Sequence, residues 1–236
     1  MTVFYTGSMK ALILAAGRGE RLRPWTDTCP KPLLAVRGKR LIEWHIEALA
    51  RAGVREIVVN TAWLEDRFPA ALGDGARYGV TLHFSCEGRD HGGALETAGG
   101  IAKALPWLGA SFWVVSGDVF LAGFPFAPAD AAAFAASAAS ARLWLAPNAP
   151  HHPEGDFGID ERCLASATAR PRRTWASVGL FKAAMFEGIV PGTRMALRPL
   201  LDAGIAAGRI EATAWDGGWT DVGTRARWLQ LDDRSA

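Results

Sequence analysis

Apolar residues along this chain follow two rhythms. Short runs, Lys10 to Leu14, Val54 to Asn60, Val80 to Ser85 and Phe112 to Ser116, read as strands; the last is continuously apolar, as in a strand covered on both faces. Between them, apolar residues recur at helical spacing. Lys39 to Ala52 carries them at 41, 42, 45/46 and 49, and Gly53 ends the pattern. Glu65 to Leu72 reads as a short helix closed by Gly73-Asp74-Gly75, and Leu95 to Leu105 as a helix followed by Pro106. This alternation predicts an α/β fold with a Rossmann-like, doubly wound mixed sheet, in which ligands sit beyond the carboxyl ends of strands. Gly17, Glu87 and Asp118 all fall just past predicted strand ends.

The second half is less regular. Ala127 to Ala141 is alanine-rich and reads as a helix, with Phe134 to pack inward. Leu143 to Ala146 and Thr174 to Lys182 read as strands, and the Pro-, Gly- and His-rich stretch Pro147 to Asp160 as a loop. Ala196 to Ala207 reads as a helix, Ile210 to Trp215 and Trp219 to Val222 as short strands, and Thr224 as the N-cap of a last helix. No repeat or linker divides the chain, so residues 9–231 are expected to form one domain, preceded by an extension, residues 1–8, without readable chemistry.

Composition narrows the partners. The 236 residues are 50% hydrophobic and 21% charged, enough for one domain with a sizeable core. With 26 basic and 24 acidic residues the net charge is +2, so neither nucleic acid nor an anionic membrane is an expected partner. Any anion must be held by local placement of cations. Cys29, Cys86 and Cys163 are far apart with no metal-ligand spacing, and read as unpaired thiols of a reducing cytoplasm. No run reaches transmembrane length and no signal peptide is recognisable, so a cytoplasmic protein, monomer or small homo-oligomer, is expected.

The candidate chemistry begins where the first strand ends. Leu14 runs into Ala15-Ala16-Gly17-Arg18-Gly19-Glu20-Arg21, whose bare backbone N–H groups can approach phosphate, and Arg21 and Lys31 follow as fixed cations. Position 22 is Leu, so G-x-G-x-x-G is absent, and so is G-x-x-x-x-G-K-[ST]. Pro24, Pro30 and Pro32 forbid a helix directly after the glycines. A phosphate chain would be held by a long irregular loop plus side-chain cations. Farther on, Asp118 ends an apolar strand and Asp221 stands beside a glycine; each alone would pass for a turn residue, and either suits Mg²⁺. Adjacent His151 and His152 resemble a metal dyad, yet neighbours on an extended segment point to opposite faces, and no third ligand is near.

Gly17-x-Gly19-x-Arg21-x-x-Pro24 followed by Pro30-Lys31-Pro32 resembles the signature of sugar-1-phosphate nucleotidyltransferases. The likeness spans about residues 9 to 231 and implies the nucleotide-diphospho-sugar transferase type of fold. In that family a Gly-Asp after the central strand and a late Trp-x-Asp-x-Gly-Thr carry the two metal-binding aspartates, which implies Asp118 and Asp221 as ligands of Mg²⁺. Leu95-Glu96-Thr97-Ala98-Gly99-Gly100 looks like the family's Leu-Glu-Thr-Gly-Gly-Gly, with Ala98 for the first glycine. The resemblance implies that Ala15, Ala16, Gly17, Gly19, Glu20, Arg21, Lys31, Glu87 and Thr97 hold the nucleotide, with Arg21 and Lys31 as the catalytic cations.

Asn148 to Gly158 is similar to a segment of one branch of that family, bacterial uridylyltransferases acting on N-acetylmuramate 1-phosphate in cell-wall recycling; Asn60-Thr-Ala-Trp63 fits the same branch. Relatives keep a basic residue near Arg170-Pro171-Arg172-Arg173 for the sugar phosphate. Ser116, Asn148, Asp156, Gly158, Arg173 and Trp219 are the implied substrate side. The expected reaction joins UTP to a sugar 1-phosphate and releases pyrophosphate. A glucose- or mannose-1-phosphate enzyme using another base is the alternative. A silent nucleotide-sugar sensor would be free to lose Arg21, Lys31, Asp118 or Asp221, and all are present.

Overall fold

The computed structural model describes residues 9–232; the expected extension, residues 1–8, lies outside the described residues, as do 233–236. The principal strands are β1 (Lys10–Leu14), β2 (Glu56–Thr61), β3 (Thr81–Cys86), β4 (Ser111–Ser116), β5 (Val119–Phe120), β6 (Ala141–Ala146), β7 (Thr174–Lys182), β8 (Ile210–Ala214) and β9 (Thr220–Asp221). Seven of them form one mixed sheet in the order β8-β6-β7-β4-β1-β2-β3, with β5 and β9 paired outside it. β1, β2, β3 and β4 run parallel, and β7 runs antiparallel to both β4 and β6. The principal helices are α1 (Leu41–Arg51), α2 (Arg67–Leu72), α3 (Glu96–Ala104), α4 (Pro128–Ala136), α5 (Arg198–Ala206) and α6 (Arg225–Asp232).

The unbroken apolar runs follow from helices on both faces of this sheet. Ile13, Trp113 and Val115 point into one core with Ile42, Ile46 and Leu49 of α1, Phe68 of α2 and Phe134 of α4. Their neighbours Leu12, Phe112 and Val114 point into a second core with Ile101 of α3 and Leu201 of α5. A strand whose side chains alternate between two dry faces has no polar position to spare. Among the described residues no helix is long and apolar enough to cross a membrane.

Differences from the sequence reading have local causes. The alanine-rich helix stops at Ala136, because Ala141 is already a strand residue paired with Phe181 and Ile210. Long-range pairing there outweighs the helix propensity of alanine. The helix read from Lys39 begins at Leu41, since Lys39 and Arg40 pair with Val36 and Ala35. The Glu87–Gly93 loop contains a helical turn, Glu87–His91, whose first N–H groups from Gly88 and Arg89 are accepted by the Glu65 carboxylate. The expected Thr224 cap is present: its hydroxyl accepts the Arg227 N–H at 3.3 Å. Helix α6 then packs back against the start of the chain, with Trp228 edge-on to Trp25 at 5.0 Å and its indole donating to the Ala35 carbonyl.

Candidate functional site

The carboxyl ends of β1, β2 and β4 surround a cleft of about 530 Å³. Its walls include Ala16, Gly17, Gly19, Glu20, Arg21, Lys31, Thr97, Ser116 and Asp118, nine residues that the sequence nominated from three separate stretches. Leu14 and Gly117 bring the first and last of these stretches together, because the Gly117 N–H donates to the Leu14 carbonyl at 2.8 Å. Gly19 has φ +69°, and a Cβ there would meet Thr26 and Lys31 side chains at 3.0 and 3.2 Å. Glycine is therefore needed both for the turn and for the room Lys31 occupies. Gly17 has open space where a side chain would stand.

The two expected cations are held differently. Lys31 is buried, and its ammonium donates to Asp118 Oδ2 at 2.8 Å. Desolvation pushes the Asp118 carboxyl up, but the Lys31 charge and hydrogen bond, joined by the Ser116 hydroxyl, outweigh it and hold the group below the usual carboxylate range. Asp118 is thus a fixed anion opening on the cleft. Arg21 is exposed, lines the same cleft and has no hydrogen bond or ion pair to any described residue. A cation with no partner in its own fold is equipped for an anion from outside.

Two residues expected at the nucleotide do not line the cleft. The Ala15 N–H donates to Asn60 Oδ1 at 2.7 Å, and Asn60 Nδ2 donates to Glu87 Oε1 at 2.6 Å. Glu87 is fully buried, and its other oxygen accepts the Leu95 N–H at 2.7 Å. Burial raises its carboxyl, while the Leu95 and Asn60 hydrogen bonds pull the other way. This chain of bonds ties the ends of β1, β2 and β3 to the start of α3 beneath the cleft. Asn60 lines the cleft itself, and the sequence signal for it was a polar residue closing an apolar strand.

The Leu95–Gly100 segment also works from below. Ala98 and Gly99 N–H groups donate to the Met195 carbonyl, and a Cβ on Gly99 would lie 2.2 Å from the Thr193 carbonyl oxygen. The small residues admit the crossing Thr193–Met195 segment, leaving Glu96 and Thr97 on the cleft wall. That crossing delivers Arg194, a wall residue the sequence reading missed; it sits 3.1 Å from Glu96. Nothing local in the sequence marks it.

Asp221 reaches the same region through β9, which pairs it with Val119, while the Val222 N–H donates to the Asp118 carbonyl at 3.1 Å. Its carboxylate lies between the His151 ring, with Nε2 3.3 Å from Oδ1, and the Arg227 guanidinium, with Nη2 3.2 Å from Oδ2. Oδ1 is buried without a hydrogen bond. Asp118 and Asp221 offer carboxylate oxygens only, and Oδ1 is an acceptor awaiting a partner. That donor set fits a hard dication whose remaining positions come from phosphate or water. Among the described residues no three His, Cys, Asp or Glu side chains converge, and His152 Nε2 lies 3.3 Å from Asp156 Oδ1.

Beyond Asp221 lies a second cavity, about 560 Å³, lined by Asn148, His151, Gly217, Gly218, Trp219, Asp221 and Arg227. Asp156, Gly158 and Arg173 line neither cavity. Asp156 accepts the Trp175 N–H at 2.8 Å, Gly158 packs on the Ala169 backbone, and Arg173 donates to Asp216 and the Leu145 carbonyl. These contacts tie the loop behind Asn148 to β7 and to the segment that follows β8.

The nucleotidyl transferase family model matches residues 10–167. An N-acetylmuramate alpha-1-phosphate uridylyltransferase of Neisseria meningitidis is 47% identical over 93% of this chain and 95% of its own length. A glucose-1-phosphate thymidylyltransferase of Streptomyces griseus is 31% identical over 95% of this chain and 65% of its own. Among solved structures, a Bacillus anthracis protein assigned as a glucose-1-phosphate thymidylyltransferase, bound to sucrose, superposes with TM-score 0.81 at 20% identity, over 97% of this chain and 95% of that one. HddC from Yersinia pseudotuberculosis gives 0.75 at 17% identity, over 97% and 100%. These two share the fold.

Proposed function

The chain belongs to the nucleotidyl transferase family, and on that premise we propose that it joins the uridylyl group of UTP to N-acetylmuramate 1-phosphate. The products are UDP-N-acetylmuramate and pyrophosphate. The observation that carries the chemistry is the single cleft in which unpartnered Arg21, the Lys31–Asp118 pair and the open backbone at Gly17 meet. The near-full-length likeness to the Neisseria meningitidis uridylyltransferase supports the choice of base and sugar. Cytoplasmic cell-wall recycling is the setting this reaction suits.

The attacking group is a phosphate oxygen of the sugar 1-phosphate, already anionic at neutral pH, so no general base is needed. Catalysis then consists of positioning and charge neutralisation during in-line attack on the α-phosphorus. Arg21 meets the departing pyrophosphate, and Lys31, fixed by Asp118, neutralises charge near the α-phosphate. The backbone from Ala16 to Gly19, with Glu20 and Thr97 on the walls, seats the nucleotide. Trp219 and Asn148 shape the sugar side. Mg²⁺ held by Asp118 and Asp221 would supply further positive charge to the phosphates.

A panel of four nucleoside triphosphates against N-acetylmuramate, N-acetylglucosamine, glucose and mannose 1-phosphates, scored by pyrophosphate release, tests this. UTP with N-acetylmuramate 1-phosphate should give the highest kcat/KM. Equal or better use of glucose 1-phosphate would move the protein to the alternative substrate, and no turnover with any pair would favour the sensor.

A further inference from the structure

The second cavity contains a cation that its own fold leaves short of partners. Arg227 lies in the first turn of α6 with its side chain only 17% exposed. Its Nε and Nη2 are buried and have no hydrogen-bond acceptor; the Asp221 contact at 3.2 Å is an ion pair without that geometry. A guanidinium carries five N–H donors in a rigid fork, and leaving such donors unsatisfied in a buried place is costly. His151 stands on the other oxygen of Asp221 and lines the same cavity. Small residues, Ala146, Ala149, Gly217 and Gly218, leave the room.

The other candidates for an anion are already engaged. Asn148 gives Nδ2 to the Pro153 and Arg172 carbonyls and accepts the Thr174 hydroxyl. Arg170 donates to the Thr168 and Ala169 carbonyls, Arg172 to the Asp156 carbonyl although its Nε is buried without an acceptor, and Arg173 to Asp216. None of these three arginines lines the cavity.

We propose that Arg227, assisted by His151, binds a carboxylate borne on the sugar, and so selects sugar 1-phosphates that carry this second anion. The inference rests on the substrate reading above and deepens it. N-acetylmuramate differs from N-acetylglucosamine by a lactyl ether ending in a carboxylate, and a planar fork matches a carboxylate with two parallel hydrogen bonds. A neutral sugar leaves the guanidinium as it stands, with donors unmet.

The test measures kcat/KM with UTP for N-acetylmuramate 1-phosphate, its lactyl methyl ester and N-acetylglucosamine 1-phosphate. In the wild type the free carboxylate should be preferred by about 10–100-fold, the range of one charge-assisted interaction. Arg227→Met should bring that ratio to near unity, and Arg227→Lys should restore part of it, since charge survives but the fork does not. His151→Asn should lower it by a smaller factor. If Arg227 only steadies Asp221, all three sugars lose rate equally and the ratio is kept, which overturns the proposal. A second readout needs neither turnover nor metal: tryptophan fluorescence titration in EDTA should show tighter binding of UDP-N-acetylmuramate than of UDP-N-acetylglucosamine, with the difference gone in Arg227→Met. A wild type without preference overturns the substrate reading and this inference together. A wild-type preference that survives in the variants overturns this inference alone.

Discussion

The cleft on the parallel half of the sheet and the cavity on its antiparallel half are both lined with charge, yet they are built in opposite ways. Around the cleft, one stretch, Leu14 to Pro32, supplies the glycine backbone, Arg21 and Lys31 together. Around the cavity, the walls come from the β6–β7 connection, the β8–β9 connection and α6. The first half exposes its cations to the ligand space, whereas the second half spends three consecutive-looking arginines, 170, 172 and 173, on backbone carbonyls and Asp216. A basic residue that lines a cavity with donors its own fold leaves unmet is the stronger pointer to an anion site. Arg21 and Arg227 meet that condition, and Arg173 does not.

The largest effect should separate the halves by rate. Asp118→Asn and Lys31→Ala should each lower kcat/KM by about 10²–10³, the usual loss when one electrostatic group is removed from a transition state. EDTA should abolish turnover, and Mg²⁺ should restore it. Arg173→Ala, by contrast, should act on stability, by about 1 kcal/mol for a partly exposed ion pair and carbonyl bond, with kcat/KM for the sugar phosphate little changed. Steady-state kinetics and urea titrations on the same samples decide it. If Arg173→Ala lost as much rate as Lys31→Ala, the contrast between the halves would fail.

This contrast also explains what could be read from the sequence. The cleft was legible because its residues lie beside one another in the chain or at strand ends fixed by hydrophobic runs. The succession of strands and helices up to β4 was legible for the same reason. The Thr193–Met195 crossing, and with it Arg194, was not: it is held by hydrogen bonds to Leu95, Ala98 and Gly99, about a hundred residues away, which leave no local pattern. Glu87 was placed near the nucleotide by likeness, and only its hydrogen bonds with Asn60 and Leu95 reveal that it lies underneath. Arg227 reads locally as an ordinary charge in a helix; its significance depends on β9 bringing Asp221 beside it.

A smaller effect concerns acid. His45 is buried under β5, and its Nε2–H donates to the Val119 carbonyl at 2.8 Å, next to Asp118. Desolvation lowers its pKa to about 4, against the opposing pull of that hydrogen bond and of the Asp118 charge. The unfolded chain therefore binds a proton here more readily than the folded one. The stability involved is fully present above pH ~6.5 and is lost as pH falls toward about 4, up to about 3 kcal/mol in all. Urea midpoints followed from pH 7 to 4.5 should fall, and His45→Gln, which keeps a donor for Val119, should flatten that limb. An unchanged slope would place the acid sensitivity elsewhere, for example in the loops of the second half.

The smallest effect sharpens the role of the buried carboxylate beneath the cleft. Glu87 sits in the first half as Asp156 sits in the second: each accepts hydrogen bonds that tie a loop to a strand end. Burial raises the Glu87 carboxyl above its unfolded value, so the folded state holds that proton more tightly. The sign is opposite to that of His45: this group contributes more stability as pH falls through its folded pKa toward its unfolded one. Glu87→Gln removes the buried charge but keeps one acceptor for Asn60 or Leu95, so gain and loss nearly offset and stability should move by about 1 kcal/mol or less. Because Glu87 is buried and does not line the cleft, kcat/KM for UTP should stay within about threefold, well below the loss expected of a group that acts on the phosphates. A direct contact between Glu87 and the nucleotide would instead raise KM for UTP at least about tenfold, the size of one lost charge-assisted hydrogen bond, while leaving the urea midpoint in place. Measuring both quantities on one variant therefore distinguishes a group that holds the site from a group that touches the ligand.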